Sequence, residues 1–221
     1  MLYHCDAVQA AGKVPIDVRK LPADYLSLTG HKFHAPKGIG ARNLSRENRD
    51  VRRKSPFSPL VYGGHQERNR RGGTESVPLI VGMGKAAQLA RRHLPDCGKK
   101  VRPLRDELEE GILSSIPNTE LNGHKTQRIA NTTNFTFHGI ESEALLILLD
   151  KEGICASSGS ACLADSDEPS HVIKAMKPDA AASRQMIRFS LGDATAREGI
   201  EVVVNAVKCQ TAALRDVLSP H

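Results

Sequence analysis

An α/β fold is predicted for this 221-residue chain by two observations. Its apolar content, 39%, rests on aliphatic side chains with aromatics at only 4%, which suits helices packed on a sheet better than a small β-sandwich. Along the chain, short apolar or alternating segments take turns with segments of helical period. The length admits one or two domains and is ample for a sizeable core.

Residues 1–6 read as a short apolar strand that runs straight into Asp6-Ala7-Val8-Gln9. No cap or polar leader comes first, and a strand of this kind needs neighbours on both sides, so further sequence is expected ahead of it. Residues 12–17 form a turn and a short extended piece. Residues 25–28 read as a second strand, which ends in Thr29-Gly30-His31-Lys32 and a Pro/Gly-rich loop to Gly40. A hydroxyl and an imidazole beside backbone N–H groups can hold a phosphate. An adjacent lysine can bond covalently to an aldehyde. A polar exit from a strand would show the same residues.

Residues 42–54 hold six basic side chains against Glu47 and Asp50. Residues 56–62 are apolar and extended. Gly63-Gly64-His65-Gln66-Glu67-Arg68 opens a Gly/Arg-rich loop that closes at Gly72-Gly73-Thr74-Glu75, a composition compatible with anion binding but weak evidence alone. Residues 77–92 have helical period, with Pro78 in the first turn, where proline is tolerated. Val77, Ile80, Val81, Gly84 and Ala87 fall on one face. The charged, Gly-containing stretch 96–100 reads as a break, which divides the chain into domains 1–95 and 96–221.

An amphipathic helix is expected over 101–113, a turn at 121–123, and an alternating strand over 129–137. A Leu-rich helix over 140–151 leads to Gly153, a short strand over 154–157 and Ser157-Ser158-Gly159-Ser160-Ala161-Cys162. Small residues let this backbone bend and leave the thiol uncovered. By itself the stretch is also compatible with a small buried cysteine in a tight turn. Pro169 starts a helix over 170–176. A strand over 185–191 carries Arg188 among apolar neighbours, where it needs an anionic partner: an internal carboxylate or a bound one. A long helix over 196–218 closes the chain.

Net charge is +6 and the pI is about 9.2. The basic run has no interleaved aromatics to stack on bases, which argues against nucleic acid as a partner. Five cysteines, far apart and in no CxxC pair, argue against a disulfide framework and a structural zinc. No apolar run approaches membrane-spanning length, so no membrane partner and a cytoplasmic location are expected.

Six pieces in order carry a resemblance. They are Asp6-Ala7-Val8-Gln9, Gly30-His31-Lys32-Phe33-His34-Ala35-Pro36-Lys37-Gly38, the loop from Gly63 to Glu75, Ser157-Ser158-Gly159-Ser160-Ala161-Cys162, Glu168-Pro169-Ser170-His171-Val172 and Ile187-Arg188-Phe189-Ser190-Leu191-Gly192. Together they resemble the cysteine desulfurases of the NifS/IscS type, class V members of the fold-type I, aminotransferase-like enzymes that use pyridoxal 5'-phosphate (PLP). The resemblance spans most of this chain and roughly the C-terminal half of the family's. It implies part of a PLP-binding large domain in 1–95 and a small α+β domain with the cysteine loop in 96–221.

The resemblance implies removal of sulfur from L-cysteine to give L-alanine and a persulfide, for iron–sulfur cluster assembly, with nitrogenase clusters among the candidate products. Lys32 resembles the lysine bonded to the cofactor, and Asp6 the partner of its pyridine nitrogen. Gln9 is similar to the residue on its phenolic oxygen. Thr29 and His31 resemble phosphate ligands, although the family more often has Ser at the first position. Thr74 resembles a phosphate contact donated across a homodimer. Arg188 resembles the substrate carboxylate clamp. Cys162 resembles the nucleophile, which would meet iron–sulfur chemistry transiently through its persulfide. The implied partners are L-cysteine, an iron–sulfur scaffold or other sulfur acceptor, and a second copy of the chain. The alternative is an inactive fragment that acts at most as a binding module. Residues 42–54 depart from the family's short apolar strand, and Arg42, Arg46 and Arg49 predict a sheet disrupted there.

Overall fold

The computed structural model describes residues 1–44, 58–159, 170–177 and 184–218. The chain divides into two compact units, Met1–Pro95 and Asp96–His221.

In the first unit, β1 (His4–Asp6) pairs in parallel with β2 (Tyr25–Thr29), and β3 (Gly40–Leu44) pairs antiparallel to β2. The β1–β2 register sets His4 beside Tyr25 and Asp6 beside Ser27. The buried Asp24 ties the start of β2 to β1, its Oδ2 accepting from the Tyr3 N–H at 2.7 Å. The disruption predicted near Arg42 does not extend to 40–44, where an edge strand forms. Arg42 is tolerated because β3 lies open to solvent along most of its length. Arg46, Arg49 and the rest of the basic segment through Lys54 lie outside the described residues.

After β2 the chain makes a tight helical turn, Gly30–Phe33, instead of an open loop. A side chain at position 30 would meet the Ala35 Cβ and the Ile39 Cγ2 at 2.9 Å, so only glycine fits. This turn sets Phe33 into a small core with Ala11, Ala35 and Ala86. Residues 58–62 form no strand. A single turn, α1 (Gln66–Asn69), follows, with left-handed backbone at Glu67, Arg68 and Asn69. The expected helix forms as α2 (Val77–Asp96). Its core-facing stripe is the buried Ala86 with the partly buried Met83 and Ala90, whereas Val77 and Val81, on the apolar face read from sequence, are 62% and 65% exposed. The helix is apolar on two stripes, and period alone does not choose between them.

The break expected at 96–100 is a π-helical turn, Cys97–Val101, leading into α3 (Arg102–Ser115). In the second unit, β4 (Thr119–Leu121), β5 (Thr132–Phe137) and β6 (Met186–Ser190) form an antiparallel sheet in that order. The helices α4 (Ser142–Lys151), α5 (His171–Met176) and α6 (Arg197–Leu218) complete it. The strand expected over 154–157 reduces to one bridge, Ser157 to Arg188.

Strand alternation splits the sheet into two faces. Thr133, Phe135 and Phe137 with Ile187 and Phe189 face the core, where Leu108, Ile112, Leu145, Leu149 and Val207 are buried. The α3–α6 contact is close: a Cβ at Gly111 would stand 2.8 Å from a Val204 methyl. The Thr133 hydroxyl sits on this apolar face, buried and without a hydrogen-bond partner among the described residues. Replacing it by the near-isosteric valine removes an unsatisfied group. Thr133→Val is expected to stabilise the fold by about 1 kcal/mol, read as a raised urea midpoint at unchanged slope.

The opposite face is polar. Glu120 takes an ion pair from Lys177 at 2.7 Å and lies 3.4 Å from His138. The Lys177 hydrogen bond, ahead of its charge and of His138, holds the Glu120 carboxyl below its ordinary value. A depressed carboxylate pKa gives stability that is present above the unfolded value and is lost as pH falls through the folded one. The urea midpoint should therefore fall as pH drops through the ordinary carboxylate range, and Lys177→Met should flatten that limb. A limb unchanged in the variant would show that the pair is not coupled to folding.

Candidate active site

The parallel β1–β2 pair brings five of the sequence-predicted residues to one place, the C-terminal ends of its strands and the turns that follow. Ligand crevices in α/β sheets form outside the carboxyl ends of parallel strands. Asp6 ends β1, exposed, with its Oδ1 accepting from the Val8 N–H at 2.9 Å. Gln9, one turn on, accepts from Lys13 Nζ at 2.7 Å. Thr29 ends β2. Its Oγ1 lies 3.2 Å from His31 Nδ1 and donates to the Ile39 carbonyl at 3.4 Å.

His31 and Lys32 occupy the turn that Gly30 makes possible. Phe33, buried on the same turn, anchors it and leaves Lys32 half-buried at the surface. Lys32 Nζ has no hydrogen bond or ion pair among the described residues. A carboxylate, an amine, a hydroxyl and an imidazole thus stand on two adjacent strand ends. None of their functional groups is consumed by the core, and this donor set fits PLP. Thr74 is exposed in the stretch before α2, next to Gly73 with its φ of +100°.

In the second unit, Arg188 lies on the polar face of β6, directly across from Asn134 of β5. Its Nε is buried and has no hydrogen-bond partner among the described residues. Of the two partners the sequence left open, no internal carboxylate meets Arg188 among the described residues. Its backbone is engaged: the Arg188 N–H donates to the Ser157 carbonyl at 2.7 Å, and the Ser157 N–H returns to the Arg188 carbonyl at 3.1 Å. The Ser157 hydroxyl donates to the Gly159 carbonyl at 3.0 Å, which tightens the start of the cysteine loop. The strand that carries Arg188 and the take-off of that loop therefore share one backbone bridge. Cys162 itself lies outside the described residues.

Sequence reading placed Ser157 at the start of the cysteine loop without foreseeing its pairing with Arg188, and it gave Asn134 no role. The bridge at Ser157 had no local signal. Asn134 could have been found from the alternation of 132–137, had the register to Arg188 been known.

A lysine-bearing turn at the end of a parallel strand pair, followed by a separate antiparallel sheet with its helices, is the architecture of the C-terminal half of an aminotransferase-like, fold-type I enzyme. The chain belongs to the aminotransferase class-V family, which matches residues 1–203. It is 50% identical over 216 residues to cysteine desulfurase 2 of Trichormus variabilis, covering 98% of this chain and 52% of that protein. It is 47% identical over 221 residues to the cysteine desulfurase NifS of Azotobacter vinelandii, covering 53% of it. Among solved structures, a NifS-like protein superposes with a TM-score of 0.82 at 32% identity, over 97% of this chain and 53% of that one. A NifS-like protein from Rickettsia africae gives 0.81 at 30% identity, over 96% and 54%. The chain spans about half the length of the relatives it matches.

Among the described residues, no helix is long and apolar enough to cross a membrane, and no cluster of His, Cys, Asp or Glu could hold a metal ion.

Proposed function

We propose that the chain carries the lysine, the carboxylate clamp and the sulfur-accepting cysteine of a PLP-dependent cysteine desulfurase. The observation behind this reading is the Thr29–Lys32 turn beside Asp6 at the ends of two parallel strands, in a chain about half identical to cysteine desulfurases. When bound, PLP supplies an electron sink at the α-carbon of an amino acid.

The residues of the chain do the rest. Asp6 would hold PLP at its ring nitrogen, Gln9 at its phenolic oxygen, and Thr29 and His31 at its phosphate. Lys32 would hold the cofactor, and its amine would act as general base on the α-proton of L-cysteine. Arg188 grips the carboxylate in bidentate fashion. The Cys162 thiolate attacks the substrate sulfur. A sulfur–sulfur bond forms as the carbon–sulfur bond breaks. The carbon–sulfur electron pair stays with the β-carbon, which is protonated, and the α-carbon regains a proton from Lys32, giving L-alanine. The enzyme keeps the sulfur as a persulfide on Cys162. That sulfur then passes to an acceptor protein of iron–sulfur assembly, so any contact of Cys162 with iron is transient. Thr74 serves the phosphate site of a second copy in a homodimer, and the working compartment is the reducing cytoplasm.

The test is direct. Purified chain, PLP and L-cysteine should yield L-alanine and, with a reducing thiol, sulfide in equal amounts. A chain that binds PLP but yields neither product would leave a non-catalytic binder and defeat this reading.

A further inference from the structure

Arg188 is not the only idle donor on its face of the small sheet. Asn134 is its direct neighbour across β5 and β6, so the two side chains rise from the same face about 5 Å apart. The orientation of the Asn134 amide follows from a polar chain that begins at Lys177. The Lys177 ammonium can only donate, and it lies 3.5 Å from Thr136 Oγ1. The Thr136 hydroxyl therefore passes its own proton to Asn122 Oδ1, at 3.1 Å. Asn122 Nδ2, which donates to the same Thr136 Oγ1 at 2.9 Å, also donates to Asn134 Oδ1 at 2.6 Å. The Asn134 Nδ2 must then point the other way. The acceptor it finds is the Met186 thioether at 3.6 Å, a poor one.

Two N–H donors on adjacent strands are thus left under-used: Nε of Arg188, buried without a partner, and Nδ2 of Asn134. Protein interiors rarely leave such donors idle without a ligand to take them. We propose that Asn134 is a second donor to the substrate carboxylate, its Nδ2 completing the anion site that Arg188 begins. The inference rests on the desulfurase reading, since it takes Arg188 as the carboxylate clamp. It assigns to Asn134 the selection of an amino acid over its decarboxylated or amidated analogue. The Asn122–Thr136–Lys177 chain acts as its support, holding the donor outward.

The experiment uses the full chain loaded with PLP, with L-alanine as an unreactive carboxylate probe and L-alaninamide as the control. The side-chain NH2 resonances of Asn134 are followed by NMR, and affinity is measured by calorimetry. In the unmodified chain these resonances should shift with L-alanine and not with L-alaninamide. Asn134→Asp keeps the acceptor for Asn122 and removes the donor, so it should weaken L-alanine binding roughly tenfold or more and leave L-alaninamide unchanged. Arg188→Lys should weaken L-alanine as well.

If Arg188→Lys weakens the probe while Asn134→Asp does not, and the Asn134 resonances stay still, the assignment of Asn134 is overturned and the Arg188 clamp stands. If L-alanine does not bind the unmodified chain at all, the clamp falls, and the assignment falls with it. The resonance shift is read on the unmodified chain, so a failure of the variant to fold leaves the test intact.

Discussion

Lys32→Ala is expected to abolish the visible absorption band of the bound cofactor and to reduce alanine formation at least about a hundredfold. The physical reason is a double role. The amine is the covalent attachment point and also the base for the α-proton, and alanine supplies neither. The fold should survive, because the turn is anchored by Phe33 and by the close packing at Gly30, while Lys32 Nζ contributes no hydrogen bond among the described residues. The urea midpoint should accordingly move little. A band that persists in Lys32→Ala would place the reactive lysine elsewhere. A large loss of stability would show that the side chain is structural. Asp6→Asn gives a useful contrast, since it removes the carboxylate proposed for the ring nitrogen while preserving the Oδ1 that accepts from Val8.

The second large effect belongs to Cys162. Cys162→Ser should keep the cofactor band and lose sulfide and alanine production about a thousandfold or more, because a hydroxyl is a far weaker nucleophile at neutral pH and cannot carry the sulfur. The two variants therefore fail differently: one loses the cofactor, the other keeps it and loses the acceptor. Cys155 and Cys209 are exposed thiols on the same unit and could rescue sulfide release if attack were unspecific. Full activity in Cys162→Ser would point to one of them.

The site-bearing elements were legible in sequence for different reasons. The strand 25–28 was readable from its apolar run, whereas Gly30-His31-Lys32 after it fitted a polar strand exit equally well until the resemblance gave these residues a role. The strand around Arg188 was readable because an arginine among apolar residues needs an anion. The tight turn at Gly30–Phe33 was not legible, since it depends on Ala35 and Ile39 closing over Gly30 from further along the chain. The exposed face of α2 could not be told from its buried face, because both stripes are apolar and only the position of Phe33 and Ala35 decides. The edge strand β3 went unseen for a related reason. Arg42 forbids a strand buried on both faces, but not one that faces solvent. Asn134 was invisible as a site residue because its meaning comes from register: one residue of slip would turn it into the core.

The most direct test is to find where the sulfur goes. Chain loaded with PLP is given one equivalent of L-cysteine without reductant, alkylated, digested and examined by mass spectrometry. The peptide containing Cys162 should gain the mass of one sulfur atom, the gain should vanish on reduction, and L-alanine should appear in equal amount. Alanine without added sulfur on Cys162, or sulfur on Cys155 or Cys209 instead, would contradict the assignment of Cys162 as the acceptor.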